Sequence, residues 1–121
     1  MIVFATPSFA GESDFIKVGN MVFISGQVGG TVGVPDNNGS AIAEAFQAIR
    51  KIAQENGGDL KDIVRLDIYL ADLPKDFAMV NKVEEKYFST PYPTRTTVGA
   101  VVAMNHTVAI NAIMILPENK I

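Results

Sequence analysis

The sequence predicts an α+β domain in which two helices cover one face of a mixed β-sheet. Strand-like runs are rich in apolar and β-branched residues, and two other segments carry apolar residues at helical spacing. These segments follow one another as strands, helix, strand, helix and strands. The chain has 121 residues, of which 48% are hydrophobic and 19% are charged, so we expect one globular domain over residues 1–121.

The first predicted elements form a β-hairpin. Residues 14–18 and 21–26 are apolar runs, and the Gly-Asn pair between them forms turns readily. Residues 28–39 are rich in Gly, Asn, Asp and Pro, which favours a loop. Within this loop we expect one short strand over residues 31–34.

The middle of the chain predicts two helices separated by a strand. Ser40 is a suitable N-cap for a helix over about residues 41–55, and Asn-Gly-Gly follows as a C-terminal signal. Residues 63–70 alternate between apolar and polar side chains, as a strand with one buried face does. The second helix is predicted over about residues 75–88, and the charged residues within 82–86 indicate a solvated face.

Two strands, about 95–103 and 107–115, are predicted to close the chain, with a tight turn near residues 104–106. The last strand is apolar on both faces. One face carries Val108, Ile110, Ala112 and Met114, and the other carries Ala109, Ile113 and Ile115. The helices can cover one face only, so we expect another subunit to cover the second.

Composition excludes several kinds of site. Cysteine is absent, which rules out disulfides, a thiolate nucleophile and a Cys-based zinc site. His106 is the only histidine, so a multi-histidine metal site within one chain is impossible, and we interpret it as a solvated turn residue. A formal net charge of −3 disfavours nucleic-acid binding. Since no segment resembles a membrane span or a signal peptide, we expect a soluble, cytoplasmic protein.

Arg95 is notable because a largely apolar segment follows it. A buried arginine requires a carboxylate or phosphate partner, and its planar guanidinium binds a carboxylate through two parallel hydrogen bonds. The residues alone allow a surface arginine at a strand start or the anchor of a pocket. Ser25 and Gly26 also allow two interpretations. Either they simply end a strand, or the Ser25 hydroxyl and a backbone N–H bind a ligand.

Three segments resemble the RidA/YjgF family of imine deaminases, which is also described as L-PSP endoribonucleases or translation inhibitors. They are VGNMVFISGQVG at 18–29, VRLDIYLADLPKDFAMVNKVEEKYF at 64–88 and YPTRTTVGAV at 92–101. The resemblance implies a chorismate-mutase-like α+β fold and a homotrimer whose sheets face a central barrel. It further implies clefts between subunits in which 2-imino acids and enamines, such as 2-aminoacrylate, are hydrolysed to 2-keto acids and ammonia. Neither a metal nor an organic cofactor is implied.

The resemblance also implies roles for individual residues. Arg95 falls on the arginine that binds the substrate carboxylate, and Ser25 and Gly26 fall on a pair that lines the pocket. Thr97 falls on a position that is often cysteine or a small polar residue. Asn81 falls on an asparagine of the second helix near the site.

Two stretches depart from the family pattern. The family's last strand carries an E-x-E motif, whose first glutamate positions or activates water in the pocket. Ala109 and Asn111 replace both acids here. The family's pocket tyrosine falls on Glu12. We therefore expect Glu12, or Asp14, of the same or a neighbouring chain to supply the missing catalytic carboxylate.

Three functions are open from the sequence. The first is deamination of 2-imino acids, with altered specificity or weakened activity because the usual glutamate is replaced. The second is non-catalytic binding of small carboxylates, anchored by Arg95. The third is an endoribonuclease or translation inhibitor, against which the acidic balance and the single histidine argue.

Overall fold

The computed structural model describes residues 3–5 and 13–118. Its strands are β1 (Val3–Ala5), β2 (Phe15–Val18), β3 (Met21–Gly29), β4 (Ile63–Leu70), β5 (Thr94–Gly99) and β6 (Val108–Ile115). Its α-helices are α1 (Ser40–Glu55) and α2 (Leu73–Tyr87), and short 3-10 turns precede α1, β4 and β6. The predicted α+β architecture is confirmed, and β1 was not predicted.

The strands form one mixed sheet in the order β1-β2-β3-β6-β4-β5. Neighbouring strands are antiparallel except β4 and β5, which run parallel. Parallel neighbours need a crossover connection, and α2 supplies it. The predicted hairpin of β2 and β3 is confirmed.

The prediction for the last two strands was partly wrong. The tight turn near residues 104–106 is confirmed, since a 3-10 turn spans Ala103–Asn105, but the strand before it ends earlier than predicted. β5 and β6 do not pair with each other, because β6 lies between β3 and β4. β5 ends at Gly99, and the Ala100 N–H donates to the Leu70 carbonyl at 2.9 Å as the chain leaves the sheet. Met104 and Asn105 then adopt left-handed conformations, with φ of 56° and 61°, in the connection to β6.

Local boundaries also differ from the predictions. The expected short strand over 31–34 is a turn, which the Val34 N–H closes on the Thr31 carbonyl at 3.1 Å. Ser40 is the first residue of α1 and not its N-cap. Asp36 acts in its place, accepting hydrogen bonds from the Ala41 N–H at 2.9 Å and the Ser40 hydroxyl at 2.6 Å.

Both helices pack on the same face of the sheet, and the core lies between them and the strands. On the sheet side the core includes Val22, Ile24, Leu66, Ile68, Leu70, Ile110 and Met114. None of the residues that the structure describes forms a layer over the opposite face, and Phe23 and Ile115 are 43% and 41% exposed there. Its burial against another subunit stays a prediction.

Candidate functional site

The Arg95 side chain lies on the helix-facing side of β5 and points to α2. Its Nη1 donates to Glu84 Oε1 at 2.6 Å, and the two side chains are only 19% and 9% exposed. The Phe77 ring lies against the guanidinium, with 5.7 Å between Cζ and the ring centroid, which is a cation–π distance. The sequence allowed Arg95 to be either a surface residue or the anchor of a pocket. In the structure the Arg95 side chain is largely buried and forms an ion pair with Glu84 of its own chain.

The sequence of α2 explains this arrangement. Phe77, Asn81 and Glu84 recur at spacings of four and three residues, so they lie along one face of the helix. The helix ends at Tyr87, and a short segment with two prolines, bent at Thr90 and Pro91, returns the chain to β5. This return places Arg95 opposite the face that carries the three side chains.

An open cleft of about 410 Å³ lies beside the ion pair. Its lining consists of Asn81, Glu84, Glu85, Tyr92, Pro93 and Arg95. The structure thus brings together Arg95 and Asn81, two of the residues that the resemblance selected. With two glutamates and one arginine, the cleft within one chain carries a formal charge of −1.

The interpretation of residues 82–86 as a solvated face was wrong for Glu84. Lys82, Glu85 and Lys86 are exposed, but Glu84 is buried. Its spacing from Phe77 and Asn81 was the available signal, because it places Glu84 on their face of the helix. Sequence reasoning missed this residue because charged side chains are rarely buried without a partner.

Ser25 and Gly26 lie at a β-bulge in β3, where the pairing register with β6 shifts between Ile24 and Gln27. The Ser25 hydroxyl donates to the Ser13 carbonyl at 2.9 Å. Gly26 has a φ of +36°, and its N–H donates to Asn111 Oδ1 at 2.6 Å. Asn111, one of the two residues that replace the family's acids, therefore binds the backbone amide of a predicted pocket residue.

The other predicted site residues have different positions. Thr97 lies two residues after Arg95 in β5, and its buried hydroxyl oxygen has no hydrogen-bond partner among residues 3–5 and 13–118. Ala109 is half-buried in β6, opposite Tyr69. Glu12 lies outside the described residues, whereas Asp14 is exposed and its carbonyl accepts from the Ser25 N–H at 3.0 Å.

Within one chain these residues form two separate groups. Arg95, Asn81 and Thr97 belong to β5 and α2, whereas Ser25 and Gly26 belong to β3. Two strands, β6 and β4, lie between β3 and β5, a lateral distance of about 14 Å. Ser25 lines a different cleft, of about 330 Å³, together with Asn111 and Asp67. A pocket that contains both groups requires a second chain.

Two further features bear on the predicted function classes. His106 is half-buried, and its Nδ1 donates to the Gly30 carbonyl at 2.9 Å, so the interpretation as a solvated turn residue was wrong. In residues 3–5 and 13–118, no group of three or more histidine and acidic side chains is arranged to hold a metal ion. None of the helices described is long and apolar enough to span a bilayer.

Comparisons with known proteins agree with the fold and with the sequence resemblance. The family described as "Endoribonuclease L-PSP" matches residues 5–115. A relative from Dermatophagoides farinae, named "2-iminobutanoate/2-iminopropanoate deaminase", is 30% identical over 109 residues, which cover 86% of this chain and 84% of the relative. "Protein MMF1, mitochondrial" of Saccharomyces cerevisiae is 39% identical over 101 residues, covering 78% of this chain and 67% of that protein. The crystal structure of RidA from an Antarctic Psychrobacter matches with a TM-score of 0.80 and 33% identity, covering 93% of this chain and 94% of the other.

Proposed function

The chain belongs to the Endoribonuclease L-PSP family, also called RidA/YjgF, and we propose that it hydrolyses small 2-imino acids to 2-keto acids and ammonia. The observation that carries this proposal is the position of Arg95, largely buried yet lining an open cleft. The name of the D. farinae protein, a 2-iminobutanoate/2-iminopropanoate deaminase, supports the same reaction class.

Arg95 binds the carboxylate of the substrate in this proposal. Glu84 uses Nη1, so the edge formed by Nε and Nη2 keeps two parallel N–H groups for a second carboxylate. Because Glu84 and Phe77 already hold the guanidinium, this edge has a fixed direction. A bound carboxylate would orient C2 of the substrate in the cleft beside Asn81.

The hydrolysis proceeds in two steps. Water adds to C2 and gives up one proton, and the C=N π electrons move to nitrogen, which takes up that proton to form an amino group. The amino nitrogen then gains the proton of the C2 hydroxyl while the C2–N bond breaks, so that ammonia leaves with the bonding electrons and the C2–O bond becomes the keto group. Binding and orientation lower the barrier. We keep Glu12 or Asp14 as the carboxylate that relays protons; Asp14 lies beside Ser25, so it would act in a pocket shared between chains.

The test is a coupled assay in which a serine or threonine dehydratase generates the imine and release of the 2-keto acid is followed. Arg95→Lys keeps the positive charge beside Glu84 but removes the two parallel N–H groups of the Nε–Nη2 edge. We expect kcat/KM to fall roughly 10- to 100-fold, as the loss of one charge-assisted hydrogen bond implies. Arg50→Lys is the matched control, because Arg50 pairs with Asp59 on a different part of the surface. Equal activity of Arg95→Lys and wild type would refute the role of Arg95.

A second function, non-catalytic binding of a small carboxylate, is favoured by Ala109 and Asn111. Neither residue can relay a proton as a glutamate does. In that case the protein binds a 2-keto acid but does not accelerate its release in the coupled assay. RNA cleavage that persists in Arg95→Lys, with contaminating nuclease excluded, would instead support the endoribonuclease function.

The proposal extends to assembly and location. We propose one domain over residues 1–121, a homotrimer with its sites between subunits, a cytoplasmic location, and hydrolysis without metal or organic cofactor. The yeast relative is named as mitochondrial, so location can differ within the family. Sedimentation of the purified protein tests the trimer, since a monomer would leave Ser25 and Arg95 in separate clefts.

A further inference from the structure

We propose that the chain has a second binding site, which takes a small carboxylate with an apolar body. The site is a cleft of about 330 Å³ lined by Arg50 of α1, the turn before β4, Tyr87 at the end of α2 and the segment that follows α2. We call it the Arg50 cleft. The proposed deamination uses Arg95 and not this cleft, so the two proposals can fail independently.

The first support is the charge of the Arg50 cleft. Its lining contains two cations, Arg50 and Lys61, and one anion, Asp59, so it has a formal charge of +1 in a chain whose formal net charge is −3. One bound carboxylate would neutralise the lining, whereas an ammonium group would raise its charge to +2. The cleft therefore favours a small anion over a cation.

The second support is that the chain leaves the hydrogen-bond donors of Arg50 unused. Its guanidinium donates no hydrogen bond to residues 3–5 and 13–118, because Asp59 Oδ1, 3.5 Å from Nε, makes only an ion-pair contact. The Asp59 carboxylate instead accepts hydrogen bonds from the Leu60 N–H at 2.7 Å and the Gln54 amide at 3.3 Å. Nε is buried, but 41% of the Arg50 side chain is exposed, so the outer N–H groups remain for a ligand.

The third support is that Tyr87 orders the Arg50 side chain. The Arg50 Cζ lies 5.3 Å from the centroid of the Tyr87 ring, which is a cation–π distance. Tyr87 is itself held, since its hydroxyl accepts from the Gln47 amide at 2.8 Å and its ring packs against Phe46. One ring contacts only part of a guanidinium. The contact therefore restricts Arg50 and still leaves N–H groups for the two oxygens of a carboxylate.

The remaining lining indicates what the carboxylate is attached to. Lys61 and the hydroxyl-bearing Ser89 and Thr90 are exposed and add polar donors. The buried apolar side chains of the lining include Leu60, Ile63 and Phe88. Apolar walls with a few polar groups are typical of small-molecule sites, and about 330 Å³ lies at the small end of their range. The ligand class is thus a small carboxylate whose other end is apolar.

Phenylacetate and 2-phenylethanol test the proposal, because they share an apolar ring and differ in carrying a carboxylate or a neutral hydroxyl group. We titrate each into wild type, Arg50→Gln and Lys51→Gln and follow backbone amide signals by NMR. Lys51→Gln is the matched control, since it removes one positive charge from the next residue of α1, which is exposed and does not line the cleft. Melting curves confirm that each comparison is made between folded proteins.

The position of binding is read from residues that line only one cleft, because Pro93 lines both the Arg50 cleft and the cleft beside Arg95. The amides of Lys61 and Ser89 report on the Arg50 cleft. Those of Asn81 and Glu85 report on the cleft beside Arg95. The same titrations in Arg95→Lys separate the two clefts further, since binding in the Arg50 cleft should persist there.

We expect phenylacetate to shift the Lys61 and Ser89 signals and to bind at least about tenfold more tightly than 2-phenylethanol, a difference of about 1.4 kcal/mol. The preference should disappear in Arg50→Gln and persist in Lys51→Gln and Arg95→Lys. Equal binding of the two probes by wild type, or shifts confined to Asn81 and Glu85, would overturn the proposal without reference to any variant. A preference that persists in a folded Arg50→Gln would also overturn it.

Discussion

Removing either partner of the Glu84–Arg95 ion pair should lower the free energy of unfolding by more than the loss of an exposed pair does, because both side chains are largely buried. The perturbation is a double-mutant cycle of Glu84→Gln, Arg95→Met and the double variant. Arg95→Met retains an unbranched apolar stem against Phe77 but leaves the Glu84 carboxylate without its cation. Glu84→Gln retains the side-chain shape and removes the negative charge.

The magnitude follows from burial and distance. Charges about 4 Å apart interact by about 4 kcal/mol at an effective dielectric constant of 20, and breaking one partner of a buried pair costs about 3–5 kcal/mol. Since the Arg95 side chain is 19% exposed, water screens part of this interaction. We therefore expect each single variant to lose about 2–4 kcal/mol, and the double variant to lose clearly less than the sum of the two.

Urea unfolding at fixed protein concentration measures the cycle, because association would otherwise change the apparent stability. The Arg50–Asp59 pair provides the comparison, with 3.5 Å between charged atoms and side chains 41% and 44% exposed. Exposed pairs couple by less than about 1 kcal/mol. If the Glu84–Arg95 coupling were as small as that of Arg50–Asp59, the pair would not behave as a buried one, and the conclusion that Glu84 holds the Arg95 guanidinium in place would be refuted.

Two further predictions concern the scaffold. Gly39→Ala should cost about 2–4 kcal/mol of unfolding free energy, because Gly39 has a φ of 76° and a Cβ there would collide with Val83. Gly57→Ala, at a φ of 86° and with no described atom within 4 Å of its Cβ position, should cost only about 1–2 kcal/mol in urea unfolding; equal losses would refute the collision. Asp59→Ala should cost about 1 kcal/mol at neutral pH, because Asp59 caps the turn at Leu60–Asp62. The Leu60 N–H lowers the pKa of Asp59, so this difference should be complete above about pH 4 and vanish as the pH falls through the lowered pKa; unfolding curves with a pH-independent difference would contradict it.

Local patterns in the sequence predicted the helices and most strands, because periodicity and turn residues act over a few positions. Strand order requires more than local pattern. β6 is apolar on both faces, which is typical of a central strand, but its residue pattern does not determine which strands lie on either side of it. The tight turn near residues 104–106 was predicted and is confirmed by the 3-10 turn over Ala103–Asn105, but the position of β6 between β3 and β4 was not predicted.

The site residues, too, could be predicted from the sequence only in part. The resemblance selected Arg95 and Asn81, and the fold places both in one cleft. Glu84 was not selected, since its partner lies eleven residues away in another element and charged residues are ordinarily solvated. The distance between Gly26 and Arg95 was also beyond sequence reasoning, because it depends on two intervening strands.

The contact between α2 and β5 has a consequence for the entropy of binding. A free arginine side chain loses about 2 kcal/mol of rotamer freedom when it is held in one conformation. In this protein that loss occurs during folding, when Glu84 and Phe77 fix the guanidinium. If Arg95 binds the substrate carboxylate as we propose, the ligand meets a side chain that is already ordered, and its affinity is not reduced by immobilising Arg95.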